Sequence, residues 1–391
     1  MNMRMGASIS TSAIPSNERV YTLTNVAEAN AVAVFARQGD GGLLPLTSDP
    51  TKPVAADGTV NPLPPFLTRG LGAGGGIFSQ GAVTLSDDGR VLLAVSPGSN
   101  EVSSFLVTPS GLRLASTVSS GGVLPVSVTS FGNLAYVVNM VRNGLPPVTP
   151  GLDAEGTGQI AGFSIGLNGV LTPIEGSERA LSSVNSNPAQ IAFNPDGTLL
   201  VVTEITASRI TVFQVEEDGR PGTVVENPSA GQSPFGFAFN SRGFLIVSEA
   251  GDFISDNASV SSYEVNSSGQ LSVISASVPT KHIAACWIVN TPDARYAYTT
   301  NTPSGVITGF SVSSLGELTI LDADGRTASL GAGSVPVDMV ISADGKYLDV
   351  LAGGSKTIMT FRIEGDGSLT LLTGVGNLPP VAFGLGIGSM H

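Results

Sequence analysis

Short runs of alternating or wholly apolar residues recur along the chain, separated by Gly, Asp, Asn and Pro. Residues 188–193 read as an apolar run opened by Pro188, followed by the turn Asn194-Pro-Asp-Gly197, a second run at 199–204, and a third at 208–213 that ends on Phe213. A Gly/Asp turn follows at 217–219. The grammar is strand, turn, strand, turn, strand, turn, because period-two and continuous apolar runs bounded by turn residues mark half-buried and buried strands. Residues 234–263 and 336–361 repeat it closely, and 81–105, 125–163 and 285–310 repeat it more loosely. Val, Thr, Ser and Gly fill these runs, so the 3.6-residue periodicity and strong helix formers of a helical repeat are missing.

The aromatic that closes each third strand falls at 35, 105, 163, 213, 263, 310 and 361. The spacing is therefore near 50 after two longer steps, and it defines seven units. A unit of about 50 residues made of short strands cannot bury both faces alone, and stacking such units around an axis gives a β-propeller. The fourth strand of each unit is expected after a Gly-Xaa-Leu signal, seen at 42–43, 111–112, 169–171, 269–271, 316–318 and 367–369. The fourth unit departs, with Gly219-Arg-Pro-Gly222. The first unit has no clear first strand, whereas 380–385 looks like a first strand with nothing behind it. The expectation is one all-β domain over 1–391, a seven-bladed β-propeller with four-stranded antiparallel blades whose ring is closed by the C-terminal strand. Residues 1–18 form an N-terminal segment, and 47–76 and 142–158 are loop insertions.

Composition narrows the function. With 18 Lys+Arg against 31 Asp+Glu the formal charge is −13, and no basic run offers phosphates a footprint, which argues against a nucleic-acid partner. No apolar stretch reaches the length of a membrane-spanning helix. The single cysteine, Cys286, allows neither an internal disulfide nor a cysteine zinc site. Residues 1–10 carry one Arg and no apolar core, so the sequence retains no secretory leader. Low charge density and many Ser, Thr and Asn residues point to export as a processed, monomeric chain, periplasmic or extracellular, with the cytoplasm left open.

The Pro-initiated strands, the turn at 194–197, the segment Ser233-Pro-Phe-Gly-Phe-Ala-Phe239 and the Gly-Glu-Leu-Thr run at 316–319 together resemble the seven-bladed propeller lactonases, which include propeller-type 6-phosphogluconolactonases and carboxymuconate cyclases. The resemblance spans about residues 19–387. It implies opening, or in cyclases closing, of a lactone ring at the top mouth of the central channel. Residues that begin first strands and end second strands would lie there: Gln190, Phe235, Phe237, Trp287 and Asp338 in the first set, and Asn25, Ser96, Asn139, Glu204, Glu249 and Asn301 in the second. Where the phosphogluconolactonases carry a histidine-rich Pro-His-Pro-His segment, this chain has Asn187-Pro-Ala-Gln190, and no arginine cluster stands ready for a phosphate. The expected substrate is a small, non-phosphorylated lactone.

Lactone hydrolysis needs a base for water and donors for the oxyanion. Glu204 and Glu249, on successive blades, are the candidate catalytic pair. Gln190, Asn139, Asn301, Trp287, Phe235, Asp338, Arg142 and Arg209 are the candidate substrate contacts. The competing structural reading has each glutamate accepting hydrogen bonds from neighbouring loops. No cofactor is expected and no metal ligands are assigned, although oxygen ligands from Glu204, Glu249, Asn139, Asn301 and Asp338 would suit Ca²⁺ or Mg²⁺ if they converged. Cys286 with His282 is a poor nucleophile pair, since a small buried thiol in an inner strand simply packs. Two other functions remain: a lactone-forming cyclase that uses Arg142 or Arg209 as its cation, and a non-catalytic exported propeller that binds a ligand or protein.

Overall fold

The structure is a computed structural model that describes residues 17–48, 62–140 and 158–389. Its strands form seven antiparallel sheets set around a central channel, and each third-strand aromatic anchors its own blade. Phe35, Phe105, Phe163, Phe213, Tyr263, Phe310 and Phe361 are all buried, in the apolar clusters within and between blades. The expected all-β, seven-bladed propeller is what the chain builds.

Blades 2 to 7 take four consecutive strands each, starting from the inner strands Val83–Leu85, Pro125–Phe131, Pro188–Phe193, Pro234–Phe239, Ala285–Asn290 and Pro336–Ile341. Fourth strands occur where the Gly-Xaa-Leu signal predicts them. The fourth blade forms one too, at Pro221–Pro228, despite its different signal. In blades 1, 3 and 6 the fourth strand is split, its second piece being Phe66–Leu67, Arg179–Ala180 or Ala328–Ser329.

Blade 1 is closed from the far end of the chain. Phe383–Ser389 pairs antiparallel with Glu18–Leu23 as the innermost strand, starting three residues later than the sequence pattern suggests. A buried ionic cluster reinforces the seam. Arg37 of blade 1 donates to Glu18 of the same blade and, at 2.5 Å, to Asp349 of blade 7, while its guanidinium lies over the Tyr347 ring. Glu18 also accepts the Ala343 N–H, and Asp349 accepts the Thr360 hydroxyl. Every charge in the cluster thus has a partner from a different strand.

Removing one member of a buried ion cluster leaves the others uncompensated. Arg37→Leu is therefore expected to destabilise the fold by about 3–5 kcal/mol. Breaking the exposed pair between Arg90 and Asp88 with Arg90→Ala should cost no more than about 1 kcal/mol. Urea unfolding of both variants checks the contrast; equal losses would show that the Arg37 cluster is not the seam.

Candidate functional site at the upper channel mouth

One irregularity recurs at the top of the inner strands. The register slips by one residue after Pro125, Pro188, Pro234, Ala285 and Pro336, and again at the Phe383 end of the closing strand. Such a β-bulge breaks the period-two alternation and re-aims the side chains it contains. Phe235 and Phe237, which simple alternation places on one face, are separated by it. Phe235 meets Trp287 edge-on at 5.0 Å, whereas Phe237 packs in the cluster between blades 4 and 5 and against Phe239. Trp287 also meets Phe383 at 5.7 Å, so three blades contribute one aromatic each to a single wall.

Above that wall lies a cavity of about 560 Å³. Phe78, Ile205, Phe235, Phe253, Ile254, Trp287, Val335, Val337 and Phe383 form most of its lining, with Asp252, Cys286 and Thr302 as its polar-capable side chains. Among the described lining residues there is no Lys, Arg or His. Four lining residues hold a left-handed backbone without being glycine: Phe78 (φ 49), Phe253 (φ 66), Ala284 (φ 54) and Val335 (φ 48). Three of these are positions that the repeat makes left-handed in other blades: Phe253 matches Asn100, Ser208, Gly305 and Lys356 in the turn after the second strand, and Ala284 and Val335 match Leu124, Asn187 and Ser233 before the inner strand, so there the conformation belongs to the blade and not to the cavity.

Beneath the cavity the chain crosses the channel axis. The Trp287 indole N–H donates to the Ser79 carbonyl at 2.8 Å, and the Gln80 backbone N–H donates to Ala189. The Gln80 side chain then behaves like a short strand edge: its Nε2 donates to the Ile288 carbonyl at 2.8 Å and its Oε1 accepts the Ile288 N–H at 3.0 Å. Gly236 makes room for it, since a Cβ there would lie 2.1 Å from Gln80 Oε1. Below this crossing is a second, open cavity of about 430 Å³, lined in part by Gln80, Gln190, Asn290 and Asp338.

The candidates from the sequence are therefore distributed, not assembled. Trp287 and Phe235 line the upper cavity. Gln190 and Asp338 line the lower one, where Gln190 Oε1 accepts the Phe237 N–H and Asp338 accepts the N–H groups of Met339 and Leu385. Glu204 is fully buried inside blade 4 and accepts hydrogen bonds from the Ser182 N–H, the Ser182 hydroxyl and Thr211. Burial raises its pKa while these donors pull it back. Glu249 is held in the same way in blade 5, by the Gly231 N–H and the hydroxyls of Ser259 and Ser261. The two glutamates thus lie in separate polar pockets, each closed by a third strand of its own blade and by the segment arriving from the preceding blade, and line neither cavity.

The amides behave alike. Asn139 exchanges hydrogen bonds with Ser120, tying the end of its second strand to the segment arriving from blade 2, and Asn301 donates to Thr308 of its own blade. Arg209 is half-exposed on the outer part of blade 4, 3.5 Å from Glu226. Arg142 lies outside the described residues, as does most of the 142–158 insertion. Among the described residues no cluster of three or more His, Cys, Asp or Glu is placed to hold a metal. Burial pushes the Cys286 thiol up to about 12, which leaves it protonated, and lowers the pKa of His282.

Sequence reasoning missed Phe78, Gln80, Asp252, Phe253, Ile254, Val337 and Phe383. A signal existed for one group: two adjacent large apolar residues, Phe253-Ile254, interrupt an otherwise polar loop, 251–257. The crossing by Gln80 has no sequence signature, because its partner lies 208 residues away.

Residues 157–289 match the model of the family described as lactonase, 7-bladed beta-propeller, and the resemblance read from the sequence is borne out. No curated protein matches the chain. Among solved structures it is similar to a candidate 6-phosphogluconolactonase from Bacteroides uniformis, at 19% identity and TM-score 0.68 over 93% of this chain and 98% of that one. It is similar to a periplasmic gluconolactonase from Pseudomonas aeruginosa at 17% identity and TM-score 0.68, over 95% and 99%. A protein from Lactobacillus plantarum aligns at 15% identity and TM-score 0.69, over 96% and 100%. At these identities the likeness speaks for the fold.

Two consequences can be measured. Burial pushes Asp338 up to about 8, against about 3.9 in an unfolded chain. The folded protein therefore binds this proton more tightly, so stability is full below about pH 4 and falls as pH rises towards 8, by up to about 1.4 kcal/mol per pH unit. Asp338→Asn is expected to flatten that slope in urea unfolding between about pH 5 and pH 8; an unchanged slope would assign it to other groups. Gln80→Ala leaves the Ile288 N–H and carbonyl unpaired and should cost about 1–3 kcal/mol, read as a lower thermal midpoint.

Proposed function

We propose that the protein is a lactone hydrolase that opens a non-phosphorylated cyclic ester in the upper cavity. The observation that carries this reading is the charge inventory of that cavity: an aromatic and aliphatic wall, one carboxylate, and no cation among its described lining residues. A phosphorylated sugar lactone would have to shed its hydration there with nothing to compensate it, which is prohibitive for a dianion. An uncharged ring ester loses little on entry. The likeness to a periplasmic gluconolactonase and the match to the lactonase family support the reaction class and, with the low charge density, an exported chain.

Asp252 is the carboxylate among the described lining residues of this cavity, and we assign it the role of base. Its Oδ1 accepts the N–H groups of Ile254 and Ser255 and its Oδ2 accepts the Ser255 hydroxyl. The backbone N–H of Ile254, with those Ser255 donors, lowers its pKa. It is thus ionised at neutral pH and, as a weak base, accepts a proton from water as that water attacks the lactone carbonyl. Collapse of the tetrahedral intermediate breaks the ring C–O bond, the proton passes to the departing alkoxide, and the product is a hydroxy acid whose carboxyl ionises. Glu204 and Glu249 hold their blades together in this reading.

A second reading, a ligand-binding propeller without turnover, is favoured by the same wall, which offers few hydrogen-bond donors to an oxyanion. The cyclase alternative would need a cation at the mouth; Arg209 pairs with Glu226 at 3.5 Å, and Arg142 lies outside the described residues.

Acid release from a panel of non-phosphorylated five- and six-membered lactones decides between them. Asp252→Asn is expected to lose about 10²–10⁴-fold in kcat/KM. Glu204→Gln should keep kcat and instead lower the thermal midpoint. The acid limb of the rate profile should fall below the ordinary aspartate value of 3.8. Loss of turnover in Glu204→Gln with an unchanged midpoint would return catalysis to the blade interior, and no turnover with any lactone would leave the binding reading.

A further inference from the structure

The upper cavity is larger and drier than opening a small lactone requires. A bare five-membered lactone has six heavy atoms, and if each takes no more than a water's share of about 30 Å³ the ring fills at most about a third of the 560 Å³ available. The remainder holds about a dozen further carbon atoms at the same density. Outside the aromatic wall the lining includes Phe78, Phe253, Ile254, Val335 and Val337, with no hydroxyl-rich patch for a sugar. A polyhydroxylated ring would leave its hydroxyls without partners at a cost for each one buried.

The rim carries the same character. Ile254 is 79% exposed at the cavity's edge and Val335 is 39% exposed, so apolar surface continues outward from the cavity. Solvent-exposed apolar residues gathered around one opening mark a site that an apolar ligand completes. The chain's formal charge of −13 and the Asp252 carboxylate in the lining disfavour a fatty acid anion as that ligand.

We propose that the upper cavity selects uncharged lactones bearing an alkyl chain of up to about a dozen carbons, the chain lying against the Phe253, Ile254 and Val337 wall. This rests on the reading of the upper cavity as the ligand site, but not on hydrolysis taking place there.

Trp287, the chain's single tryptophan, lines the cavity and reports occupancy without turnover. Its emission is titrated with a γ-lactone series of increasing alkyl length, with a linear alkanoate matched in length to the longest, and with gluconolactone. The dissociation constant is expected to fall about fourfold per added methylene, then level off once the cavity is filled. The alkanoate should bind at least tenfold more weakly than the matched lactone, and gluconolactone more weakly still. Ile254→Ser, a change at an exposed rim position, should weaken the long lactones several-fold and leave the shortest unchanged.

A dissociation constant independent of chain length, or tighter binding of gluconolactone, overturns the proposal. Equal binding of alkanoate and lactone overturns the selection for uncharged ligands. Acid release is followed in the same samples. Steep chain-length dependence without acid release sustains this inference and removes hydrolysis, whereas turnover of short lactones with no chain-length dependence does the reverse.

Discussion

Ring closure is the constraint on which the rest depends. Seven blades stack stably only if the first and last meet, and here the chain solves this by sending Phe383–Ser389 back to pair with Glu18–Leu23. The backbone ladder supplies direction and register, while the buried Arg37 cluster ties blade 1 to blade 7. The closing strand also carries function in its first residue. Phe383 packs against Trp287 and lines the upper cavity, so the wall of the site is finished by the same strand that finishes the ring.

The site arises from departures from regularity within that frame. In an ideal blade the inner strand alternates one residue towards each neighbour, and no side chain need aim along the axis. The bulges at the strand tops break this alternation and let Phe235, Trp287 and Val337 converge on the upper mouth. The Ser79–Gln80 crossing then floors the cavity, using side-chain and indole hydrogen bonds where no strand could pass. Apart from Asp252, Cys286 and Thr302 in the upper lining, polar side chains are kept below the floor or sealed in the blades, and apolar surface dominates above it. That separation explains how two glutamates and two asparagines at equivalent strand ends can serve the fold without entering either cavity.

Most of the architecture was legible in the sequence because it is periodic. The third-strand aromatics count the blades, and the orphan strand near 380 shows how they close. The site was legible only in part, for a physical reason. Trp287 and Phe235 stood out as large aromatics at strand starts, but strand position alone could not separate side chains aimed at the axis from those aimed into a blade. Glu204 and Glu249 occupy the expected positions, and the hydroxyls of Ser182, Thr211, Ser259 and Ser261 turn them inward. Gln80, whose partners lie in blades 4 and 6, belongs to the class of contact that only the folded chain reveals.

The central claim is that ligand binds above the Gln80 crossing, in the apolar cavity walled by Trp287. The most direct test is a crystal structure of the protein soaked or grown with a heavy-atom-labelled alkyl lactone, such as one carrying a terminal bromine. The account predicts anomalous density for the halogen beside Phe253 and Ile254, with the ring above Trp287. Density in the lower channel beside Asp338, or within blade 4 beside Glu204, would contradict it.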